Sequence, residues 1–418
     1  MKNIALTRKR LSMANNKPRK FNPLVWFIAY NTLAKYLQKA YNVTGVNHDL
    51  VRTLQPPYLI VANHVTLWDP PIVASFIRHR IHFVMSDANL RSSIGRWLYL
   101  HMAAVIPKTK ARSDSSTVRS MIKLARNKRI ICVFPEGRSS WDGLTHDIFF
   151  STSKLIKALK IPVVAPLIKG GYLSRPRWGH TRRNGRMEIE FQKLFDGPEL
   201  PGMSVEEIHE KLTRALENND YDFQQQSGIT FTSKKGAEYL ERLLFVCPSC
   251  RSMVTMESKG NNFTCTRCNF TARYTETGEL VPENAAEYPL RRIYEWSAWQ
   301  NDFLTQFLKE KKTSGNTSPI FQDTNVTIKT GYKFARLKHH MTGTLSMFLD
   351  RFEMADQNGH TEIYAFSDVY GIQVLLANRL EFYCRDILYK CEFDRKNISG
   401  YKYMLAAQKI IPDKTELE

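Results

Sequence analysis

The chain has 418 residues, 43% of them hydrophobic and 24% charged, which is enough apolar material for two or three cored domains. Sixty Lys and Arg against 40 Asp and Glu leave a net charge of +20, a field that attracts an anionic bilayer surface or nucleic acid without choosing between them. Seven cysteines, four of them in two close pairs, exclude a disulfide framework and fit a reducing compartment with one metal site.

Residues 1–20 carry Lys2, Arg8, Lys9, Arg10, Lys17, Arg19 and Lys20 and no acidic residue. An apolar run, Leu24–Tyr30, follows. Even extended to Leu37 it spans roughly 20 Å as a helix, short of the ~30 Å hydrocarbon core, so no membrane crossing is expected. A basic arm leading into a Trp/Phe/Tyr-rich helix reads as an interfacial anchor, peripheral on the cytoplasmic face of the cell membrane. The plainer alternative is a loose tail before an ordinary docked helix.

Tyr58–Ala62, Ile130–Phe134 and Val163–Ile168 are short continuous apolar runs, as expected of buried parallel strands. Asp69-Pro70-Pro71 is a helix start, and Ser116–Asn127 reads as a helix between strands. This alternation predicts an α/β domain with a largely parallel sheet. Gln224–Gly228 and Lys311–Thr317 read as linkers. Beyond them Leu345, Met347 and Leu349 alternate, as do Leu380, Phe382 and Cys384, and again Tyr389, Cys391 and Phe393; with a turn at Asn358-Gly359 they predict antiparallel hairpins in a β-rich domain.

His64 and Asp69 stand five positions apart between the first of these strands and its helix. On a continuous helix that offset is about 140° and the side chains diverge. On a loop entering a helix they converge, with one Asp69 oxygen expected to cap the helix and the other to hold an imidazole nitrogen, leaving the second nitrogen as an oriented base. Phe134-Pro135-Glu136-Gly137-Arg138-Ser139-Ser140 leaves a second strand end, where parallel-sheet enzymes gather their ligands.

Asn63-His64-Val65-Thr66-Leu67-Trp68-Asp69 and Phe134-Pro135-Glu136-Gly137, with Ala104–Lys108 and Val163–Pro166, resemble four ordered blocks of the glycerolipid acyltransferase family, typified by 1-acylglycerol-3-phosphate acyltransferases. The resemblance spans about residues 25–215. It implies a glycerol-3-phosphate-acyltransferase-like fold, a mixed, largely parallel sheet with flanking helices. It also implies a reaction: His64, oriented by Asp69, deprotonates an acceptor hydroxyl that attacks the thioester of acyl-CoA or acyl-carrier protein. The acceptor would be a lysophospholipid, 1-acylglycerol-3-phosphate giving phosphatidic acid. Asn63, Glu136 and Gly137 are expected at the acceptor, and a basic residue at its phosphate. The turn Gly137–Ser139 is a candidate oxyanion site. The chain departs from the family in that Arg138 follows Gly137 directly and Ser139 stands where the family has its Arg. Lys108, Lys110 and Arg112 are further candidate cations. Trp68, Phe76, Phe83, Trp97 and Tyr99 are candidate acyl-tunnel residues and read more simply as core.

Cys247-Pro-Ser-Cys250, fourteen residues, then Cys265-Thr-Arg-Cys268 supplies four thiolates for a closed structural zinc site and resembles a zinc ribbon. A dithiol switch is the lesser alternative. The chain thus divides into a basic arm (1–20), an acyltransferase-like domain with its interfacial helix (21–223), a zinc ribbon (235–280), a linker and helix (281–320) and a β-rich domain (321–418). Two other functions compete. A nucleic-acid-binding ribbon protein leaves His64, Asp69 and Glu136 unexplained and is disfavoured. A lipid-binding scaffold that has lost catalysis is motivated by the altered Gly137-Arg138 register.

Overall fold

The computed structural model describes residues 22–411 apart from 92–95, 98, 101–102, 109–114, 285–288 and 333–334. The basic arm, Lys110 and Arg112 lie outside the described residues. Pro23–Ala29, a π turn at Tyr30–Ala34 and Lys35–Ala40 form one helical segment, opened by Asn22, whose side chain accepts the N–H groups of Leu24 and Val25. Ala34 and Leu37 face inward, whereas Leu24, Phe27, Ile28, Leu33 and Tyr36 are exposed. Among the described residues no helix is long and apolar enough to cross a membrane.

The first sheet comprises β1 (Val43–Val46), β2 (Leu59–Val61), β3 (Ile81–Ser86), β4 (Ile106–Lys108), β5 (Ile130–Val133), β6 (Val163–Lys169) and β7 (Met187–Phe195), in the order β1-β7-β6-β2-β5-β3-β4. From β6 to β4 all neighbours are parallel; β7 is antiparallel to β6, and β1 is parallel to β7. The central strands bury both faces, which is why they read as unbroken apolar runs. Ile60, Cys132 and Val164 pack with Ile72, Trp141 and Tyr172. Leu59, Val61, Ile131 and Val133 pack on the other side with Met121, Leu124 and Ile156 from the helices Ser115–Arg126 and Phe150–Leu159. Each such aliphatic side chain contributes about 1.5–3 kcal/mol on burial.

The remaining units do not hang on flexible linkers. Gln224–Ser227 completes the helix Asp220–Ser227, which stops at a left-handed Gly228. Lys311 is buried on the helix α1 (Ile293–Thr313), and its ammonium donates to Asn316 and Ser318. Polar composition suggested loops at both places; burial of the opposite helix face outweighs it as far as Ser227 and Thr313, and residues 314–317 form the exposed connection to the next strand. The cysteine-bearing unit is a four-stranded antiparallel sheet of β8 (Met256–Lys259), β9 (Asn262–Cys265), β10 (Thr271–Tyr274) and β11 (Leu280–Pro282). Its Phe263, Phe270 and Tyr274 share one apolar cluster with Trp296 of α1 and with Trp178.

The C-terminal sheet holds β12 (Phe321–Gly331), β13 (Lys338–Met347), β14 (Arg351–Asp356), β15 (Thr361–Ala365), β16 (Val369–Leu375), β17 (Arg379–Cys384) and β18 (Ile387–Glu392), all antiparallel, in the order β15-β14-β13-β12-β18-β17-β16. The long β12 pairs on both sides and joins the two hairpin sets. Arg385 and Asp386, φ 48° and 68°, make the two-residue left-handed turn between β17 and β18. The helix α2 (Gly400–Ile410) closes the sheet with Tyr403, Met404, Ala406 and Ala407 buried. Two arginines then tie this sheet to the first. Arg91, just past β3, pairs with the buried Glu381 of β17, and Arg177, past β6, donates to the carbonyls of Val374 and Leu376. Both lie beyond the carboxyl ends of their strands, so the C-terminal sheet stands beside the face where β2 and β5 also end.

Candidate active site

The loop leaving β2 is shaped by two buried polar side chains. Asn63 donates to the carbonyl of Ile168 at 2.9 Å and accepts its N–H at 2.7 Å, stitching the loop to β6. Expected at the acceptor, Asn63 instead has its amide engaged at both ends and acts on loop position. Asp69 is fully buried. Its Oδ2 accepts His64 Nδ1–H at 2.7 Å and the N–H groups of Val65 and Thr66 at 2.7 and 2.8 Å, while Oδ1 accepts the Thr66 hydroxyl at 2.7 Å. The expected cap is therefore absent: Asp69 begins the helix Asp69–Ala74, and its carboxylate turns back into the loop. The reason is local: of the two N–H groups a cap at Asp69 would engage, Pro71 has none and that of Ile72 donates to Trp68 O at 3.0 Å.

Because a carboxylate only accepts, Nδ1 carries the proton and Nε2 of His64 is left as the basic nitrogen. Nε2 has no hydrogen-bond partner among the described residues, the imidazole is 22% exposed, and it lies against Phe134 with ring centroids 4.6 Å apart.

Phe134–Ser140 joins this loop directly. Glu136 is buried; it accepts the His64 N–H at 2.6 Å through Oε1 and the His146 N–H at 2.9 Å through Oε2. Burial pushes its pKa up to about 8 against the pull of those two N–H donors. Expected against the acceptor's glycerol, Glu136 instead has both oxygens on backbone donors and locks the two loops together. Ser140 N–H donates to His64 O at 2.9 Å, a second clamp. Gly137 has φ +67°, and a Cβ there would lie 2.6 Å from the Phe149 ring, so glycine is required on both counts. Its N–H closes the turn onto Phe134 O at 3.2 Å; the N–H groups of Arg138 and Ser139 are not spent on any described residue, and Ser139 O accepts from Arg177. Lys108, at the end of β4, sits 5.7 Å above the same Phe149 ring. The structure thus brings His64, Asp69, Glu136, Gly137, Arg138, Ser139 and Lys108 to one end of the sheet.

Of the aromatic candidates, Phe76 is core, Trp68 and Phe83 pack half-buried against it, and Trp97 is exposed. Trp141, His146 and Arg177 escaped sequence reading. Nothing in the pattern marks them, and the last lies far along the chain from the loops it meets.

The four thiols converge at the base of the ribbon: the sulfurs of Cys247, Cys250, Cys265 and Cys268 all lie within 4.8 Å of one another. Cys247–Cys268 and Cys250–Cys265 are 3.6 and 3.8 Å apart. A tetrahedron with Zn–S bonds of ~2.3 Å has edges of ~3.8 Å, whereas a disulfide needs ~2.05 Å. The donor set fits zinc.

The α/β sheet thus places an oriented imidazole at one strand end and a turn of unspent N–H groups at the next. Residues 41–169 match the model of the Acyltransferase family. Among solved structures, the chain is similar to the 1-acyl-sn-glycerophosphate (LPA) acyltransferase PlsC from Thermotoga maritima, at 18% identity and a TM-score of 0.40, covering 49% of this chain and 87% of that one. Comparison with curated protein sequences finds no match.

Proposed function

We propose that the protein transfers a fatty acyl group from acyl-CoA or acyl-carrier protein to the hydroxyl of a lysophospholipid, with 1-acylglycerol-3-phosphate as acceptor and phosphatidic acid as product. The observation that carries this reading is the 2.7 Å His64–Asp69 pair held against the Phe-Pro-Glu-Gly turn. His64 Nε2 takes the acceptor's hydroxyl proton as the oxygen attacks the thioester carbon. The carbonyl electrons move onto its oxygen, where the N–H groups of Arg138 and Ser139 are suited to receive them. Collapse breaks the C–S bond, and the thiolate takes the proton from the imidazolium, restoring the neutral base. Arg138 and Lys108 suit the acceptor phosphate.

The same reading puts the protein peripherally on an anionic membrane surface at the cytoplasmic face. The exposed Leu24, Phe27, Ile28, Leu33 and Tyr36 offer an apolar helix face, and the seven cations of residues 1–20 precede it. Zinc on Cys247, Cys250, Cys265 and Cys268 would be structural, since four protein ligands leave no open position.

The test is to incubate purified protein with labelled acyl-CoA and acyl-carrier protein against a panel of lyso-lipids and identify products by mass. A phosphatidic acid product that vanishes in a folded His64→Ala variant supports the reading. Lyso-lipid binding without turnover across all donors would favour the non-catalytic scaffold.

A further inference from the structure

At the end of the first sheet remote from His64 lies a notch of ≈ 200 Å³ whose cations take no part in the acyl transfer described above. Two short basic runs build it. Arg78-His79-Arg80 leads into β3 at Ile81, and Lys128-Arg129 leads into β5 at Ile130. Ile81 and Ile130 are register partners in neighbouring parallel strands, so Arg80 and Arg129 enter the sheet side by side, about 4.8 Å apart in the hydrogen-bonding direction. Pro56, ahead of β2 on the other flank of β5, closes the notch. The Phe-Pro-Glu-Gly turn is at the opposite end of β5, and from Arg129 to Phe134 an extended chain covers roughly 16 Å. Arg138 and Lys108 belong to that far end.

The notch is cationic without relief. Among the described residues its lining holds three guanidinium groups, one ammonium and one imidazole, and no carboxylate. The side chains of Arg78, Arg80, Lys128 and Arg129 make no ion pair or hydrogen bond with any described residue. Arginines elsewhere on the surface do find partners: Arg52 pairs with Asp49, and Arg214 with Glu210. Four like charges around one hollow repel one another. Their field reaches the core: burial lowers the His82 pKa, its hydrogen bond to Ala104 O raises it, and the Arg129 charge lowers it again. Compensation of a helix dipole does not account for the cluster. The helix Ser115–Arg126 already carries Lys123 and Arg126 in its last turn. Arg78 and Arg80 lie four and six residues past the helix Asp69–Ala74, beyond the turn where such an effect is felt.

We propose that this notch binds a phosphoryl group, presented by an anionic lipid headgroup or by a soluble phosphate compound. A phosphate monoester carries about −1.5 to −2 charge at pH 7 on three outward oxygens. Planar guanidinium forks match those oxygens in pairs, and three forks around one hollow exceed what the two oxygens of a carboxylate can use. A volume of ≈ 200 Å³ admits a phosphate with its ester linkage and is below that of a drug-sized site. The bound anion would screen the four cations and so hold the entries of β3 and β5 together. A lipid source is within reach, because Lys35 Nζ donates to Ser75 O at 3.4 Å, three residues ahead of Arg78. The helical segment with the exposed Leu24, Phe27 and Ile28 is thereby moored beside the notch. The site does not depend on the acyltransferase reading.

The experiment titrates the full zinc-loaded chain by calorimetry with inorganic phosphate and with acetate, and by flotation with phosphatidylcholine vesicles with and without phosphatidic acid. The proteins are wild type, Arg138→Gln, Arg80→Gln/Arg129→Gln and the conservative Arg80→Lys/Arg129→Lys. The expected result is phosphate binding that survives Arg138→Gln, weakens about 30-fold in the Gln pair and about fivefold in the Lys pair, with acetate at least about tenfold weaker than phosphate. Phosphate should raise the melting temperature of wild type and not that of the Gln pair. Vesicle binding that needs both phosphatidic acid and the two arginines assigns the notch to a lipid headgroup. Arginine-dependent binding of free phosphate without such vesicle binding assigns it to a soluble compound. Phosphate binding equal in wild type and the Gln pair at matched melting temperature, its complete loss in Arg138→Gln, or acetate as tight as phosphate overturns the proposal. So does an RNA or DNA oligonucleotide that binds through the two arginines more tightly than any of these ligands. Turnover in the Gln pair should stay at the wild-type rate; its loss together with phosphate binding would put the notch inside the transfer machinery and end its standing as a separate site. Arginine-dependent phosphate binding in a chain with no acyl transfer keeps the notch and removes the enzyme.

Discussion

The His64–Asp69 pair and the four-cysteine unit satisfy their polar groups in opposite ways. Asp69 meets four donors within 2.8 Å, all from the six residues His64–Asp69, so the imidazole is oriented before any substrate arrives. The four thiols converge, at 3.6 and 3.8 Å for the closest pairs, with the Ser252 and Thr255 hydroxyls beside two of them, in an arrangement that fits an ion the chain does not encode. A site closed on itself is preorganised and tolerates no substitution of its centre. A site closed by a ligand depends on supply.

The largest expected effect breaks the second arrangement. Stripping zinc with a chelator removes on the order of 10 kcal/mol of binding free energy from a unit with little core of its own. Because Phe263 and Phe270 share a cluster with Trp296 and Trp178, the melting transition of the whole chain should fall, with one zinc per chain lost by elemental analysis. A metal-free chain that melts at the wild-type temperature would mean the thiols need no ion.

Next comes the first arrangement. His64→Ala should lower kcat by about 10³-fold with acceptor binding kept. Asp69→Asn should cost about 10²-fold and some stability as well. An amide nitrogen cannot accept, so one of the loop's donors or the Nδ1–H loses its partner. Rates for Asp69→Asn at the wild-type level would show that the imidazole orients itself.

The smallest effect is read in pH. The Glu136 carboxyl has its ordinary value of 4.5 when unfolded and about 8 when folded. The folded state therefore binds more protons between those values, and this contribution to stability is present below pH 4.5 and is lost as pH rises through 8. Glu136→Gln should flatten the decline of melting temperature across that window. Parallel profiles for the two proteins would remove Glu136 as its source.

The parts of this site that were legible are those whose chemistry is local in sequence. His64 and Asp69 are five residues apart, and Cys-x-x-Cys knuckles announce themselves by spacing alone. The backbone clamps made by Asn63 and Glu136 were not legible, because their partners Ile168 and His146 are separated from them by 105 and 10 residues. A polar side chain in a family motif looks the same whether it meets substrate or backbone. The supposed linker at Gln224–Gly228 was misread for a related reason, since polar composition describes the exposed face of a helix and only packing reveals the other; of Lys311–Thr317, the helix takes Lys311–Thr313 and the rest is an exposed connection.

The sequence alone determined the unbroken apolar strands of the parallel sheet, the alternating strands of the C-terminal sheet, the His64–Asp69 pair, and the four-thiol set, because periodicity and short-range spacing are properties of the chain itself. Tertiary structure decided that Asp69 turns back rather than caps, that Glu136 clamps one loop to the other, and that Arg91 and Arg177 draw the C-terminal sheet to the end of the first sheet that carries His64. Those outcomes depend on which buried donors and acceptors find each other once the backbone is folded, and a linear pattern carries no record of that pairing.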